Sequence, residues 1–192
     1  MAIGDATLKP ALRAETRERR RIMTSDERES FSSQLTEQLA ALVTELDAQT
    51  VGCYLSTVDE PPTRAFVEWA LDQGKDVLLP VSREDGLLDW AHFDRGAEDL
   101  DLLGMPVPTS ELLGPMAIDS VDLMLIPAAR VDRTGARLGW GRGYFDRTLG
   151  SMAHRPPVFA VVYNHEVVDL VPIETHDQGV DGAVTPHGII RF

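Results

Sequence analysis

The chain has 192 residues, 43% hydrophobic and 26% charged, a balance that fits one soluble domain with a full core and is short for two. No run approaches the roughly 20 apolar residues of a membrane span, and residues 1–21 hold no apolar stretch of signal-peptide type, so neither a membrane partner nor secretion is expected. A net charge of −13 repels nucleic acid backbone, and the single cysteine, Cys53, excludes an intrachain disulfide and fits a reducing, cytoplasmic setting.

Residues 1–7 read as a flexible polar leader, and residues 8–22 have helix-forming composition. Thr24 with Glu27 three positions later forms a capping-box signature, after which Phe31, Leu35, Leu39, Leu42, Val43 and Leu46 recur at spacings of three and four. That stripe is the core face of an amphipathic helix. The period then changes. Val51–Leu55 is a short apolar strand in which Cys53 is expected as a buried, inert thiol, Thr63–Leu71 a helix closed by Gly74, and Val77–Val81 a buried strand. Leu88–Phe93 alternates and reads as a more exposed strand, while residues 94–120 look like a loop-rich crossover. Val121–Pro127 and Val158–Val162 are continuous apolar strands, Gly143–Leu149 a helix after a glycine-rich loop, and Ala183–Thr185 with Ile189–Ile190 edge strands. Helices alternating with fully apolar strands give a single α/β domain over 1–192, with a mostly parallel sheet flanked by helices on both faces.

Positive charge is concentrated. Lys9, Arg13, Arg17, Arg19, Arg20 and Arg21 fall within thirteen residues, and Arg130, Arg133, Arg137, Arg142 and Arg147 within eighteen, together eleven of the chain's eighteen cations. An acidic chain that gathers arginine in this way fits a small polyanion as ligand, although the first group also fits a solvated helix face.

Arg137-Leu138-Gly139-Trp140-Gly141-Arg142-Gly143-Tyr144-Phe145-Asp146-Arg147 follows a buried strand and leads into a helix. Ligands of open α/β sheets bind outside the carboxyl ends of strands, where this loop lies. Glycines at alternate positions let backbone amides approach a phosphate, the helix start adds its positive end, and the arginines add charge-assisted bonds. Asp146 offers a hard oxygen for Mg²⁺. The segment is neither a Walker A loop nor a G-x-G-x-x-G fingerprint, and on spacing alone a glycine-rich hairpin without ligand remains open.

The run from Pro127 through Gly139 to Arg147 resembles the central motif of the 5-formyltetrahydrofolate cyclo-ligase family. Lys9-Pro10-Ala11-Leu12-Arg13, Tyr54–Glu60 with Thr63, Gly74-Lys75 into Leu79-Pro80, and Leu170-Val171-Pro172 through His176-Asp177 to Asp181 are similar in order and spacing, so the likeness spans residues 8–190. Phe145 stands where the family often has a second tyrosine, Ala128-Ala129 where it often has glycine, and Trp140 and Arg142 occupy variable positions.

The resemblance implies a fold like those of ribose-5-phosphate isomerases and CoA transferases. It implies ATP and Mg²⁺ dependence, with 5-formyltetrahydrofolate, with or without a polyglutamate tail, cyclised to 5,10-methenyltetrahydrofolate. It places ATP at Lys9, Arg13 and Arg137 through Phe145 (Arg137, Leu138, Gly139, Trp140, Gly141, Arg142, Gly143, Tyr144, Phe145), folate at Leu55, Glu60, Trp140 and Tyr144, and Mg²⁺ at Asp146 and Asp177. A monomer or weak dimer is expected, with no nucleic-acid partner; Arg19, Arg20 and Arg21 meet either the polyglutamate tail or water. Two other readings stay open at this point: a sugar-phosphate isomerase on the same fold, and a protein that binds folate without turnover.

Overall fold

A computed structural model describes residues 6–192. Of the leader expected over 1–7, residues 1–5 lie outside the described residues, and Ala6–Leu8 form a 3-10 turn that runs into the first helix. In chain order the elements are α1 (Lys9–Arg21), α2 (Ser25–Glu45), β1 (Thr50–Gly52), α3 (Arg64–Asp72), β2 (Asp76–Ser82), β3 (Leu88–His92), β4 (Glu98–Leu100), β5 (Pro106–Pro108), β6 (Leu112–Leu113), a 3-10 helix (Pro115–Ser120), β7 (Leu123–Pro127), β8 (Arg130–Asp132), β9 (Arg137–Leu138), α4 (Tyr144–Ser151), β10 (Val158–Val161), β11 (Val167–Val168), β12 (Gly182–Thr185) and β13 (Gly188–Arg191).

The main sheet runs β13-β12-β10-β7-β1-β2-β3-β6. Its five central strands are parallel, and β3, β6 and β13 join antiparallel at the edges. Along β7 the side chains alternate between two core layers, as the strand period of two dictates. Leu123 and Leu125 face the layer built by Leu35, Leu39, Leu42 and Val43 of α2 and Phe66, Val67 and Ala70 of α3. Met124 and Ile126 face the other layer, with Trp90 of β3, Ile118 of the 3-10 helix and Leu149 of α4. Helices therefore cover both faces, as the apolar strands require. No helix among the described residues is long and apolar enough to cross a membrane.

The α2 start follows its signature: Thr24 Oγ1 accepts from the Glu27 N–H at 3.3 Å, and Glu27 Oε2 accepts from the Thr24 N–H at 2.8 Å. Three elements differ from the sequence expectation. The strand expected over Val51–Leu55 stops at Gly52, because the Thr63 hydroxyl donates to the Tyr54 carbonyl at 2.5 Å and draws the chain out of the ladder. Strand β3 is not exposed: Trp90 and Ala91 are fully buried, because the segment read as crossover folds back and pairs β6 against β3 while Ile118 packs beside Trp90. That segment also forms the β4–β5 hairpin. Finally, of the two strands expected at an edge, β12 lies inside the sheet and β13 alone is an edge, opposite β6.

Cys53 is 1% exposed, and burial pushes its thiol up to about 12, as suits an inert core residue.

The chain runs from β1 to β2 on one side and later to β7 on the other, so β1 marks the point where strand order reverses. Crevices at such points, at the carboxyl ends of parallel strands, are where α/β sheets bind ligands. The loop after β1 and the segment after β7 both leave from here.

Candidate active site

The segment after β7 first makes a hairpin, β8 to β9, with a turn organised by Asp132. Its Oδ1 accepts from the Thr134 N–H at 2.8 Å and the Ala136 N–H at 3.2 Å, and its Oδ2 accepts from the Val171 N–H at 2.8 Å. Asp132 is 1% exposed, so these bonds replace water for a buried carboxylate. The hairpin delivers Arg137, 4% exposed, to the wall of the crevice, and the glycine loop continues from it. Gly141 and Gly143 hold φ of +93° and +71°, values that side chains with a Cβ rarely adopt. A Cβ on Gly141 would lie 3.0 Å from Arg13 Nη1, so backbone and arginine approach as closely as glycine allows.

The loop separates two cavities. The first, of about 330 Å³, is lined by the loop after β1 (Tyr54, Leu55, Thr57, Asp59, Glu60), by Pro80, Ser82 and Leu88, by Asp101, Leu103, Met105 and Pro106 of the β4–β5 hairpin, and by Pro127, Arg17, Trp140, Tyr144 and Phe145. The second, of about 460 Å³, is lined by Lys9, Pro10, Arg13, Leu138, Arg147, Glu174, His176 and Asp177. Arg137, Gly139, Gly141, Arg142, Gly143 and Asp146 line both, forming a shared wall.

The first cavity is largely apolar, with one buried carboxyl. Glu60 is 8% exposed; burial pushes its carboxyl above the ordinary value, against hydrogen bonds from the Thr57 N–H at 2.9 Å and hydroxyl at 3.1 Å. Such a group suits the N–H edge of a heterocycle. Tyr144 closes one side by donating its hydroxyl to the Arg83 carbonyl at 2.8 Å. The indole N–H of Trp140 and the phenol of Tyr54 are buried without hydrogen-bond partners among the described residues.

The second cavity is ringed by charge. Lys9 Nζ donates to Glu174 Oε2 at 2.7 Å and to Asp177 Oδ2 at 2.6 Å. Burial works to raise Asp177, but the bonds from Lys9 and from the Glu174 N–H hold its carboxyl below the ordinary range. Arg13 Nε donates to the Gly139 carbonyl at 2.7 Å. Arg137 Nη2 donates to Asp146 Oδ1 at 2.5 Å, and that oxygen also accepts from the Gln178 N–H at 3.0 Å. Arg137 Nε is buried with no hydrogen-bond partner among the described residues. Among the described residues Asp146 Oδ2 and Asp177 Oδ1 accept no hydrogen bond, the latter lying 3.9 Å from His176 Nε2, so each aspartate offers a second oxygen of the hard type that Mg²⁺ takes. Glu174, His176 and Asp177 also form a group whose ligand atoms all lie within 4.8 Å of one another.

All the sequence-derived site residues thus gather at one crevice, with the loop divided between its two sides. Leu138 faces the second cavity, while Trp140, Tyr144 and Phe145 face the first alone. Leu55 and Glu60 line the first cavity; Lys9, Arg13 and Asp177 line the second. The arginine group of α1 is split by burial. Arg20, read as meeting tail or water, meets neither: it is fully buried, donating to Glu166 Oε1 at 2.7 Å, to Oε2 at 2.8 Å and to the Ala128 carbonyl at 2.8 Å. Arg19 and Arg21 make exposed pairs with Glu15 and Glu18. Sequence reasoning grouped Arg17 with the other cations of α1 but gave it no place in the site, and it missed Glu174 and the hairpin residues Leu103 and Met105. For Arg17 a signal existed, since Lys9, Arg13 and Arg17 stand four apart on one helix face.

A family model described as "5-formyltetrahydrofolate cyclo-ligase family" matches residues 5–186. The 5-formyltetrahydrofolate cyclo-ligase of Mycolicibacterium smegmatis is 35% identical over 190 residues, covering 96% of this chain and 97% of its own length. That of Escherichia coli is 26% identical, covering 88% and 96%. The NMR structure of Aquifex aeolicus 5,10-methenyltetrahydrofolate synthetase superimposes with a TM-score of 0.80 at 25% identity, over 96% of this chain and 92% of that one.

Proposed function

Because the chain belongs to the 5-formyltetrahydrofolate cyclo-ligase family, we propose that it cyclises 5-formyltetrahydrofolate to 5,10-methenyltetrahydrofolate with consumption of ATP, in the crevice described above. The observation that carries this reading is the shared wall. A reaction between a heterocyclic substrate and a nucleotide needs two sites that meet at one point, and the segment from Arg137 to Asp146 is that point.

The N5-formyl group is amide-like, with a poor electrophilic carbon and a poor oxygen leaving group. Attack of the formyl oxygen on the γ-phosphorus breaks the bond to ADP and turns that oxygen into a phosphate ester. N10 then attacks the formyl carbon. Cleavage of the carbon–oxygen bond expels phosphate, the N10 proton is lost, and the conjugated methenyl cation remains. No protein nucleophile is needed, in keeping with a buried, inert Cys53. Phosphoryl transfer asks mainly for positioning and charge neutralisation.

The residues divide accordingly. Glu60 accepts from the N–H groups of the pteridine, and Leu55, Trp140 and Tyr144 enclose it. Lys9, Arg13 and the backbone amides of Gly139, Gly141 and Gly143 hold the phosphates; Arg137 and Arg142 stand at the junction, where charge develops on the transferred group. Asp146 and Asp177 would hold Mg²⁺ through their second oxygens, and the ion supplies charge neutralisation of the phosphates when bound. The protein is read as a cytoplasmic monomer or weak dimer with no nucleic-acid partner.

The test is the fate of the formyl oxygen. With the formyl group labelled with ¹⁸O, this path carries the label into inorganic phosphate. Phosphate free of label, alongside normal product, contradicts it.

A further inference from the structure

Among the described residues, Arg17, Arg133 and Arg142 are the arginines whose guanidinium groups make neither a hydrogen bond nor an ion pair. In a chain of net charge −13, thirteen of sixteen arginines have found an oxygen partner, so a free one at a cavity wall is informative. Arg133 lines neither cavity. Arg142 lines both and stands at the phosphoryl junction. Arg17 lines only the first cavity, on the same face of α1 that gives Lys9 and Arg13 to the second. Its guanidinium lies 5.0 Å from the centre of the Trp140 ring, a cation–π contact that orients the group and leaves its N–H donors unused.

The substrate of the proposed reaction has a neutral heterocycle rich in N–H donors at one end and glutamyl carboxylates at the other. Glu60, buried in the first cavity, attracts the donor end and repels the carboxylates. The carboxylates must then leave along the exposed rim. Besides Asp146 of the shared wall, two aspartates line this cavity, Asp59 and Asp101, and Asp101 has its oxygens occupied by the N–H groups of Ser82 at 3.1 Å, Leu103 at 2.8 Å and Met105 at 3.0 Å, which spread its charge into the backbone. Arg17 is the unpaired cation of this cavity that the phosphates do not claim. We propose that Arg17 binds the glutamyl carboxylates of the substrate and so determines the preference for a pteroylglutamate over the same pteridine without its amino-acid tail. This rests on the reading of the activity given above.

The experiment compares KM for 5-formyltetrahydrofolate and for 5-formyltetrahydropteroate, which lacks the glutamate, in the parent protein, Arg17→Gln and Arg17→Lys. The discriminating quantity is the ratio of the pteroate KM to the folate KM. Arg17→Gln is expected to lower that ratio about tenfold through a rise in the folate KM, with kcat little changed, and Arg17→Lys to retain much of it. An unchanged ratio in Arg17→Gln overturns the proposal, whether both KM values rise together, as loss of support for Trp140 would cause, or neither moves. If the parent protein converts neither substrate, the reading of the activity fails, and this inference with it.

Discussion

Arg13 Nε donates to the Gly139 carbonyl at 2.7 Å, fastening helix α1 to the loop that divides the two cavities. The helix and the loop are 126 residues apart in sequence, so this bond fixes the arrangement across the crevice. Arg13→Ala removes it together with a cation of the second cavity, where the proposed reaction holds ATP. The expected outcome is a rise in the KM for ATP of roughly tenfold or more with the folate KM less affected, because Arg13 lines only the second cavity. Initial-rate measurements varying each substrate in turn check this. An equal rise in both contradicts the division of the site.

Gly141→Ala places a Cβ on a residue at φ +93° and brings it to 3.0 Å from Arg13 Nη1. Stability should fall by about 1–2 kcal/mol from the backbone alone, and turnover should fall more steeply because the loop and Arg13 both shift. Thermal unfolding and steady-state rates on one preparation separate the two effects. A variant as active as its parent contradicts the close approach.

Asp146→Asn keeps the bond to Arg137 possible through its amide oxygen but removes the negative charge. Turnover is expected to drop sharply, about a hundredfold or more, with the fold intact by circular dichroism. Normal activity with an unchanged response to Mg²⁺ rules out the metal role.

Arg20→Met leaves Glu166, 1% exposed, as a buried charge without its partner. Removing one member of such a pair costs about 3–5 kcal/mol, and replacing both, as in Arg20→Met with Glu166→Leu, costs less because no charge is stranded. Urea unfolding midpoints give the comparison. A near-neutral single variant contradicts the structural role assigned to Arg20.

Glu60 is an acid whose folded value burial raises above the ordinary 4.5. Below the unfolded value the carboxyl is neutral in both states and the folded protein carries no penalty. As pH rises through the folded value the buried charge appears and that stability is lost. Glu60→Gln removes this dependence, flattening the stability profile across the window from the unfolded value to the raised folded one. The folate KM should rise on acidification through the same window in the parent and stay flat in Glu60→Gln. Identical profiles contradict the assignment.

Much of the fold was legible in the sequence because its strands are buried on both faces and read as unbroken apolar runs, as Leu123–Pro127 and Val158–Val161 do. The capping box at Thr24 was legible because its two bonds are local. Elements defined by distant partners were not. Strand β6 is two residues long and exists only through β3, and β1 ends early because of a hydroxyl nine residues away. The site followed the same division. The glycine loop with its arginines and Asp146 lies in one stretch, so pattern and resemblance singled out a segment that lines the crevice. Whether Arg17 faces a cavity and Arg20 the core is decided by the rotation of α1 against Glu166 and Trp140, which no local pattern records.

The cyclisation itself is read by mixing the purified protein with 5-formyltetrahydrofolate, Mg²⁺ and ATP and following the absorbance of the conjugated methenyl product. The band is expected to grow only in the complete mixture and to be missing when either ATP or Mg²⁺ is left out. A folded protein that binds ATP yet produces no band, or one that produces it equally well without ATP, would contradict the proposed reaction.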